Sequence, residues 1–225
     1  MKKLTDSISS PEMTDLPRPS NMADDLSVVC FGASAGGFDA YCKILALLPS
    51  DTGLSFIIVH HQMADGKSLL VEILPRFTTM PVLFVEDGVI MQANHVYVVN
   101  AGKDVTMSDG ALWLKPRAPR HGWPKNISRF LHSLAKDRQK RAIAVILSGL
   151  DGDGAEALKE IKARGGIVFA QEFDTAEEPS MPITAVQTGC VDSILSPDEI
   201  AARLQEIGAE RARRKMTDGG RTHES

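Results

Sequence analysis

Residues 27–40, SVVCFGASAGGFDA, set a serine, Ser34, among small residues between an apolar run and an amphipathic one. A buried strand that feeds a glycine-rich turn and then a helix can cradle a phosphate, or it can present a serine nucleophile. Gly32, Ser34 and Gly36 fit G-x-S-x-G, in which small neighbours allow a turn sharp enough to lift Oγ above the sheet edge. The helix that follows aims free N–H groups at the place where an oxyanion would develop, and Ala35 N–H is the natural donor. The rival is the dinucleotide fingerprint G-x-G-x-x-G, approached by Gly32-x-Ser34-x-x-Gly37. Its middle glycine lets backbone meet a pyrophosphate, and here that position is Ser34. Taken alone, the motif leaves nucleophile, anion site and plain tight turn open.

Two further stretches carry groups that a nucleophilic serine needs. The next apolar run, SFIIV, leads to His60-His61, where a dinucleotide site would have an acidic residue. These histidines fall at the sheet edge that carries Ser34, the edge at which open α/β sheets bind ligands. A lone histidine there is more often structural than basic. The stretch VILSGLDGDGAEALKEIKARGG, 145–166, brings Asp151 and Asp153 to the same edge, ahead of a helix with Glu156/Glu160 and Glu160/Arg164 at i,i+4. Helix cap, calcium loop and orienting carboxylate compete for these aspartates. Calcium is the weakest, because Ala155 and Lys162 stand where an EF-hand loop has its third oxygen ligand and its closing glutamate. A cap accounts for one aspartate without excluding the triad role.

The elements that must position these groups alternate along the chain. Short apolar runs, SVVCF, SFIIV, VLFV, HVYVV, AIAVILSG and GIVFAQ, are interleaved with helical stretches near 38–48, 67–77, 127–138, 154–164 and 181–188. Runs apolar at nearly every position read as strands buried on both faces. The expected fold is α/β: three α/β/α layers around a mainly parallel, Rossmann-like doubly wound sheet. Turn signals at Asn100-Ala101-Gly102 and Ser108-Asp109-Gly110 add a short antiparallel meander over 95–115. The last helix starts at a capping box, Ser196 with Glu199 and Pro197 in its first turn, and its core face is Ile200, Leu204 and Ile207.

Composition narrows the function classes. At 225 residues and 43% hydrophobic content the chain can bury a full core. A net charge of −4 gives no electrostatic case for nucleic acid. Cys30, Cys42 and Cys190 are too few and too scattered for a disulfide framework, and no CxxC pair suggests a metal site. The N-terminus lacks the apolar core of a signal peptide, and no run approaches a membrane span. A cytoplasmic protein without direct membrane insertion is expected. Its expected parts are a disordered leader over 1–25, one domain over 26–208, and a polar extension over 209–225 with a basic cluster at Arg211, Arg213, Arg214 and Lys215.

The order Ser34, His61, Asp153, with GASAGG after the first strand, VHHQ after the second and ILSGLDGDGAEAL downstream, resembles the CheB chemotaxis receptor methylesterase catalytic domain. Supporting stretches are KSLLVEIL at 67–74, EDG at 86–88, VYVVNAG at 96–102, AGKDVTM, FLHSLA at 130–135, FAQ at 169–171 and the Met181-Pro182 pair. The likeness runs from about residue 27 to 207. It implies a parallel α/β/α fold and hydrolysis of glutamate methyl esters on chemoreceptor-type proteins, often with deamidation of glutamines, and no cofactor or metal. Carried over by residue, Ser34 is the nucleophile, His61 the base and Asp153 the orienting acid. His60 is the spare histidine, and Leu150 falls at the pocket. Asn126-Ile127-Ser128 departs from the Pro-Ile-Asp of many relatives. The implied partners are methylated cytoplasmic receptor helices, and a separate receiver protein could supply control, since the likeness is to a stand-alone form without an attached receiver domain. The reading from another class is a non-catalytic regulatory binding module of the same fold.

Overall fold

The computed structural model describes residues 25–61, 68–117 and 125–219. Residues 1–24 of the expected leader lie outside them; Asp25, its last residue, is ion-paired with Arg141. The first half of the chain runs β1 (Ser27–Ala33), α1 (Gly37–Leu47), β2 (Leu54–His60), α2 (Leu70–Ile73), β3 (Val82–Phe84), β4 (Val89–Ile90), β5 (Val96–Val98), β6 (Lys103–Ser108) and β7 (Ala111–Pro116). The second half runs α3 (Asn126–Arg138), β8 (Ala142–Ile146), α4 (Ala155–Ala163), β9 (Ile167–Gln171), α5 (Ser180–Gln187), β10 (Ser193–Leu195) and α6 (Pro197–Gly219).

Seven strands form one parallel sheet in the order β10-β9-β8-β1-β2-β5-β3. All seven residues of β1 are buried, as expected for a strand covered on both faces. Alternation along β1 divides two cores. Val28 and Cys30 join Ile127, Phe130, Leu131 and Leu134 of α3 and Leu158 and Ile161 of α4. Val29, Phe31 and Ala33 join Ile44 and Leu45 of α1 and Ile200, Leu204 and Ile207 of α6. Each fully buried Leu, Ile or Phe contributes about 1.5–3 kcal/mol. The three expected layers are present.

The antiparallel part is a separate three-stranded sheet in the order β4-β7-β6. Its β6–β7 hairpin turns at Asp109 and Gly110, both with positive φ, the backbone a tight two-residue turn demands. The turn signals grouped HVYVV with this meander, but β5 pairs in parallel with β2 and β3. Its buried Val96, Tyr97 and Val98 need cover on both faces, which only the large sheet gives.

The capping box of α6 is present: Glu199 Oε2 accepts the Ser196 N–H at 2.8 Å, and Ser196 Oγ accepts the Glu199 N–H at 3.4 Å. The helix continues past Gly208 to Gly219, so the first part of the expected polar extension is helical. Arg211 on it is hydrogen-bonded to Ser27 Oγ and donates to the Lys140 carbonyl at 3.1 Å. No helix of the described residues is long and apolar enough to cross a membrane.

Helix α3 has no side-chain cap of its own, since Lys125 at its N-cap contributes none. The orphan N–H groups of its first turn are met from a distant loop. Asp153 Oδ2 accepts the Ile127 N–H at 2.9 Å and Oδ1 accepts the Ser128 N–H at 3.0 Å. The same Oδ1 takes the Ser128 hydroxyl at 2.6 Å and the Gly154 N–H at 2.8 Å. The cap anticipated within 151–154 therefore serves α3, while α4, which follows that loop, begins at Gly154 without a side-chain cap. Burial by itself would raise the Asp153 carboxyl, but the bonds from His61, from the Ser128 hydroxyl and from the Ser128 and Ile127 N–H groups hold it below the usual aspartate value.

Asp153→Ala is expected to lower unfolding free energy by about 3 kcal/mol at pH 7 in urea denaturation, because five donors lose a charged acceptor. The depressed carboxyl contributes stability above the ordinary aspartate value of about 3.9, and loses it as pH falls through the lower folded value. The gap between wild type and variant should therefore close in acid. An unchanged midpoint at pH 7 would show that α3 does not depend on this carboxylate.

Candidate active site

Strand order brings three loops together. β1 lies between β8 and β2, with β5 and β3 beyond on one side and β9 and β10 on the other. The crevice at the carboxyl ends of these central strands is the topological switch point, where loops diverge and a ligand can enter. Ser34 leaves β1, His61 leaves β2, and the segment carrying Asp151 and Asp153 follows β8.

Backbone pairing fixes the first two. Ala33 is in register with His60, so Ser34 and His61 are the next residues on adjacent strands. The His61 N–H donates to the Ala33 carbonyl at 3.2 Å, and the Ser34 N–H donates to the Ser148 carbonyl at 2.9 Å. The serine turn is then held from beneath. Ser148 Oγ donates to the Ala35 carbonyl at 2.8 Å and accepts the Glu178 N–H at 2.9 Å. Gly36 has φ 71°, and a Cβ there would meet the Glu177 side chain and Ser148 Oγ. At Gly149 a Cβ would run into Met181 and press on Ser34. Both glycines are required by close approach around the serine.

Ser34 is half-buried at the start of this turn. Among the described residues, neither the Ala35 nor the Gly36 N–H has a hydrogen-bond acceptor. Leu150 is 50% exposed and presents apolar surface next to Asp151.

The His61 side chain is 6% exposed and lies between two carboxylates. Nε2 is bonded to Asp153 Oδ2 at 2.9 Å. Nδ1 lies 3.0 Å from Asp151 Oδ2. That second contact is off the N–H direction, so Nδ1 and Asp151 Oδ2 are both buried without a hydrogen bond. Asp151 is itself fixed, because its Oδ1 accepts the Asp153 N–H at 2.9 Å. With both ring nitrogens facing carboxylates, no hydrogen bond joins His61 to Ser34 in this arrangement.

His60 has a different environment. Burial, aided by His61 and Arg117, pushes its imidazole down to about 4, so it is neutral near pH 7. Its carbonyl accepts from Asn126 Nδ2 at 3.3 Å, which ties β2 to the first turn of α3. The Asn126-Ile127-Ser128 stretch thus meets both the histidine pair and Asp153.

The structure brings Ser34, Ala35, His61, Asp153 and Leu150 to one edge of the sheet. Sequence reasoning missed the contact of Asp151 with the histidine, although Asp-Gly-Asp spacing was the signal for it. It also missed the contacts of Ser148, which lies within ILSGLDGDGAEAL, and of Asn126, noted only as a departure from Pro-Ile-Asp, because both act through where the fold places them.

The family model for CheB methylesterase matches residues 29–204. A protein-glutamate methylesterase/protein-glutamine glutaminase of Anaeromyxobacter dehalogenans is 32% identical over 188 residues, which cover 80% of this chain and 54% of that one. One from Geobacillus kaustophilus is 31% identical over 186 residues, covering 80% and 53%. The chain spans about half the length of these curated relatives. Among solved structures, the Thermotoga maritima CheB methylesterase catalytic domain aligns with a TM-score of 0.74 at 23% identity, covering 81% of this chain and 98% of that one. That likeness shows a shared fold. With the family model matched over most of its length, the chain belongs to the CheB methylesterase family.

Proposed function

We propose that this protein is a protein-glutamate methylesterase that hydrolyses glutamate methyl esters on methylated cytoplasmic helices of chemoreceptor-like proteins, with glutamine deamidation as a related activity. The observation that carries the reading is the buried His61–Asp153 pair at the sheet edge where Ser34 begins a glycine turn. The names of the curated relatives support it. Action in the cytoplasm, where such receptor helices lie, follows from the same reading.

In this mechanism the His61 nitrogen not held by Asp153 takes the proton from Ser34 Oγ as that oxygen attacks the ester carbonyl. Catalytic hydrogen bonds are often open before substrate binds, so the ring or Ser34 must turn for the two to meet. Asp153 keeps the other nitrogen protonated and stabilises the imidazolium. The Ala35 N–H receives the oxyanion, a contact of a kind worth about 3 kcal/mol in the transition state. The imidazolium then protonates the departing methoxide. Methanol leaves, and water activated by His61 hydrolyses the acyl-enzyme to free glutamate and Ser34. Leu150 supplies apolar surface against which a receptor helix can rest.

Methanol release from a methylated receptor cytoplasmic domain tests the reading. Ser34→Ala should lose at least about 10⁴-fold in turnover while keeping its unfolding midpoint. Release by Ser34→Ala at the wild-type rate would sink the nucleophile assignment. No release by folded wild type would favour a binding module of the same fold. His61→Ala should lose as much as Ser34→Ala, and His60→Ala no more than about tenfold, since a neutral, half-buried His60 makes no bond to either aspartate. Equal losses at the two histidines would overturn the choice of base.

A further inference from the structure

Three successive peptide units cross the nucleophile, and Ser148, outside the turn, pins two of them. The Ser34 N–H donates to the Ser148 carbonyl at 2.9 Å, and the Gly37 N–H donates back to the Ser34 carbonyl at 3.1 Å. The Ser148 hydroxyl donates to the Ala35 carbonyl at 2.8 Å. The Gly37–Ser34 bond closes a β-turn whose third residue, Gly36, has φ 71° and ψ −5°. Ala35 does not share the positive φ of Gly36, so the turn is of type II. Types I and II differ by a flip of the central peptide, which here is Ala35–Gly36. Glycine at the third position tolerates both forms, so a contact from outside the turn can decide between them.

That contact is buried and fully partnered. Ser148 is 0% exposed, and its N–H donates to Gln171 Oε1 at 2.9 Å. Gln171, itself buried, is held by donating Nε2 to the Thr175 carbonyl at 2.8 Å. The Ser148 hydroxyl oxygen accepts the Glu178 N–H at 2.9 Å, which leaves its one proton to donate. Two carbonyls lie in reach, Ala35 at 2.8 Å and Glu178 at 3.3 Å, and the shorter contact is the better bond. No described peptide bond is cis, and in a trans peptide the N–H points opposite to the carbonyl. With the Ala35 carbonyl turned to the buried Ser148, the Gly36 N–H points away from it. A flipped peptide would set the Gly36 N–H against the hydroxyl and forfeit the bond to the Ala35 carbonyl.

We infer that Ser148 is a positioning residue for acyl transfer: its hydroxyl locks the serine turn in the type II form, so that the Gly36 N–H, and not the Ala35 carbonyl, faces the side where the oxyanion forms. The inference rests on the esterase reading of the site, with Ser34 as nucleophile. A carbonyl oxygen on that side repels the developing negative charge, whereas an N–H adds to the donor at Ala35. The ground-state ester carries little charge on its oxygen and feels the difference far less. The loss therefore falls on kcat and not on KM. Gln171 acts one step further back, by holding Ser148.

The test compares wild type, Ser148→Ala and Ser148→Cys in methanol release from the methylated receptor domain and in covalent labelling of Ser34 by a fluorophosphonate. The phosphorus NMR resonance of the labelled protein reports the donors around the phosphoryl oxygen. Cysteine keeps a side chain of similar shape but is a weak donor, so it separates the hydrogen bond from packing. Turnover is counted per labelled Ser34, which removes any unfolded fraction. Ser148→Ala should lose about 10- to 100-fold in kcat, the scale of a small misplacement in a catalytic site, with Ser148→Cys between it and wild type. KM should stay within about twofold of wild type, and the phosphorus resonance should be displaced in both variants. Should Ser148→Ala fail to fold, the same readings on Ser148→Cys decide. Wild-type kcat in Ser148→Cys would assign the residue to packing alone and overturn the inference, and a raised KM at unchanged kcat would overturn it by placing the residue in binding. Both of those results leave the esterase reading standing. Slower labelling with a displaced resonance in the variants, but no methanol release by any of the three proteins, would support the inference and reject the ester substrate. Absence of labelling in wild type would overturn both.

Discussion

One buried carboxylate ties the site to the fold. Asp153 collects the first N–H groups of α3, the Ser128 hydroxyl, the N–H of Gly154 and one nitrogen of His61. With that many donors around it and its side chain 2% exposed, the carboxyl is held below the usual aspartate value against a burial that by itself would raise it. Remove the bonds from α3 and the carboxylate is an unpaired buried charge. Remove the carboxylate and α3 starts with unmet donors while His61 loses its anchor. Stability and chemistry at this position draw on the same set of hydrogen bonds.

The parallel sheet makes such a meeting possible. Each strand of a parallel sheet ends at the same edge, so residues that follow β1, β2 and β8 come together across gaps of tens to more than a hundred residues in sequence. Because β1 is flanked by β2 and β8, its own loop sits in the middle, with a histidine loop on one side and an aspartate loop on the other. Glycines at 36 and 149 let the serine turn and the aspartate loop approach within contact distance. The two cores on either side of the sheet hold this edge rigid.

Having two aspartates on one imidazole gives the site a second property. Asp153 orients the ring through a well-formed bond at Nε2, and Asp151 lies 3.0 Å from Nδ1 on its other side. A serine hydrolase needs a base that is fixed on one side and available on the other. In this arrangement Nδ1 faces Asp151, so the ring must turn before that nitrogen can meet Ser34.

Much was legible in the chain alone. Strands buried on both faces announce themselves as unbroken β-branched runs, and a strand, a glycine turn and an amphipathic stretch mark Ser34. The capping box of α6 is local, and local hydrogen bonds can be read from spacing. HVYVV was ambiguous, because a short apolar run next to turn signals satisfies both an antiparallel meander and a parallel sheet, and only pairing partners decide. The continuation of α6 beyond Gly208 was hidden because its anchor, Arg211, bonds to Ser27 and to the Lys140 carbonyl far away in sequence. The same reason separates the two aspartates. Sequence spacing placed Asp151 and Asp153 on one loop at the right sheet edge, since both follow β8. That one of them caps α3 while the other faces the second nitrogen of His61 was settled by tertiary structure, because those contacts lie between segments whose meeting depends on sheet order and not on neighbouring residues.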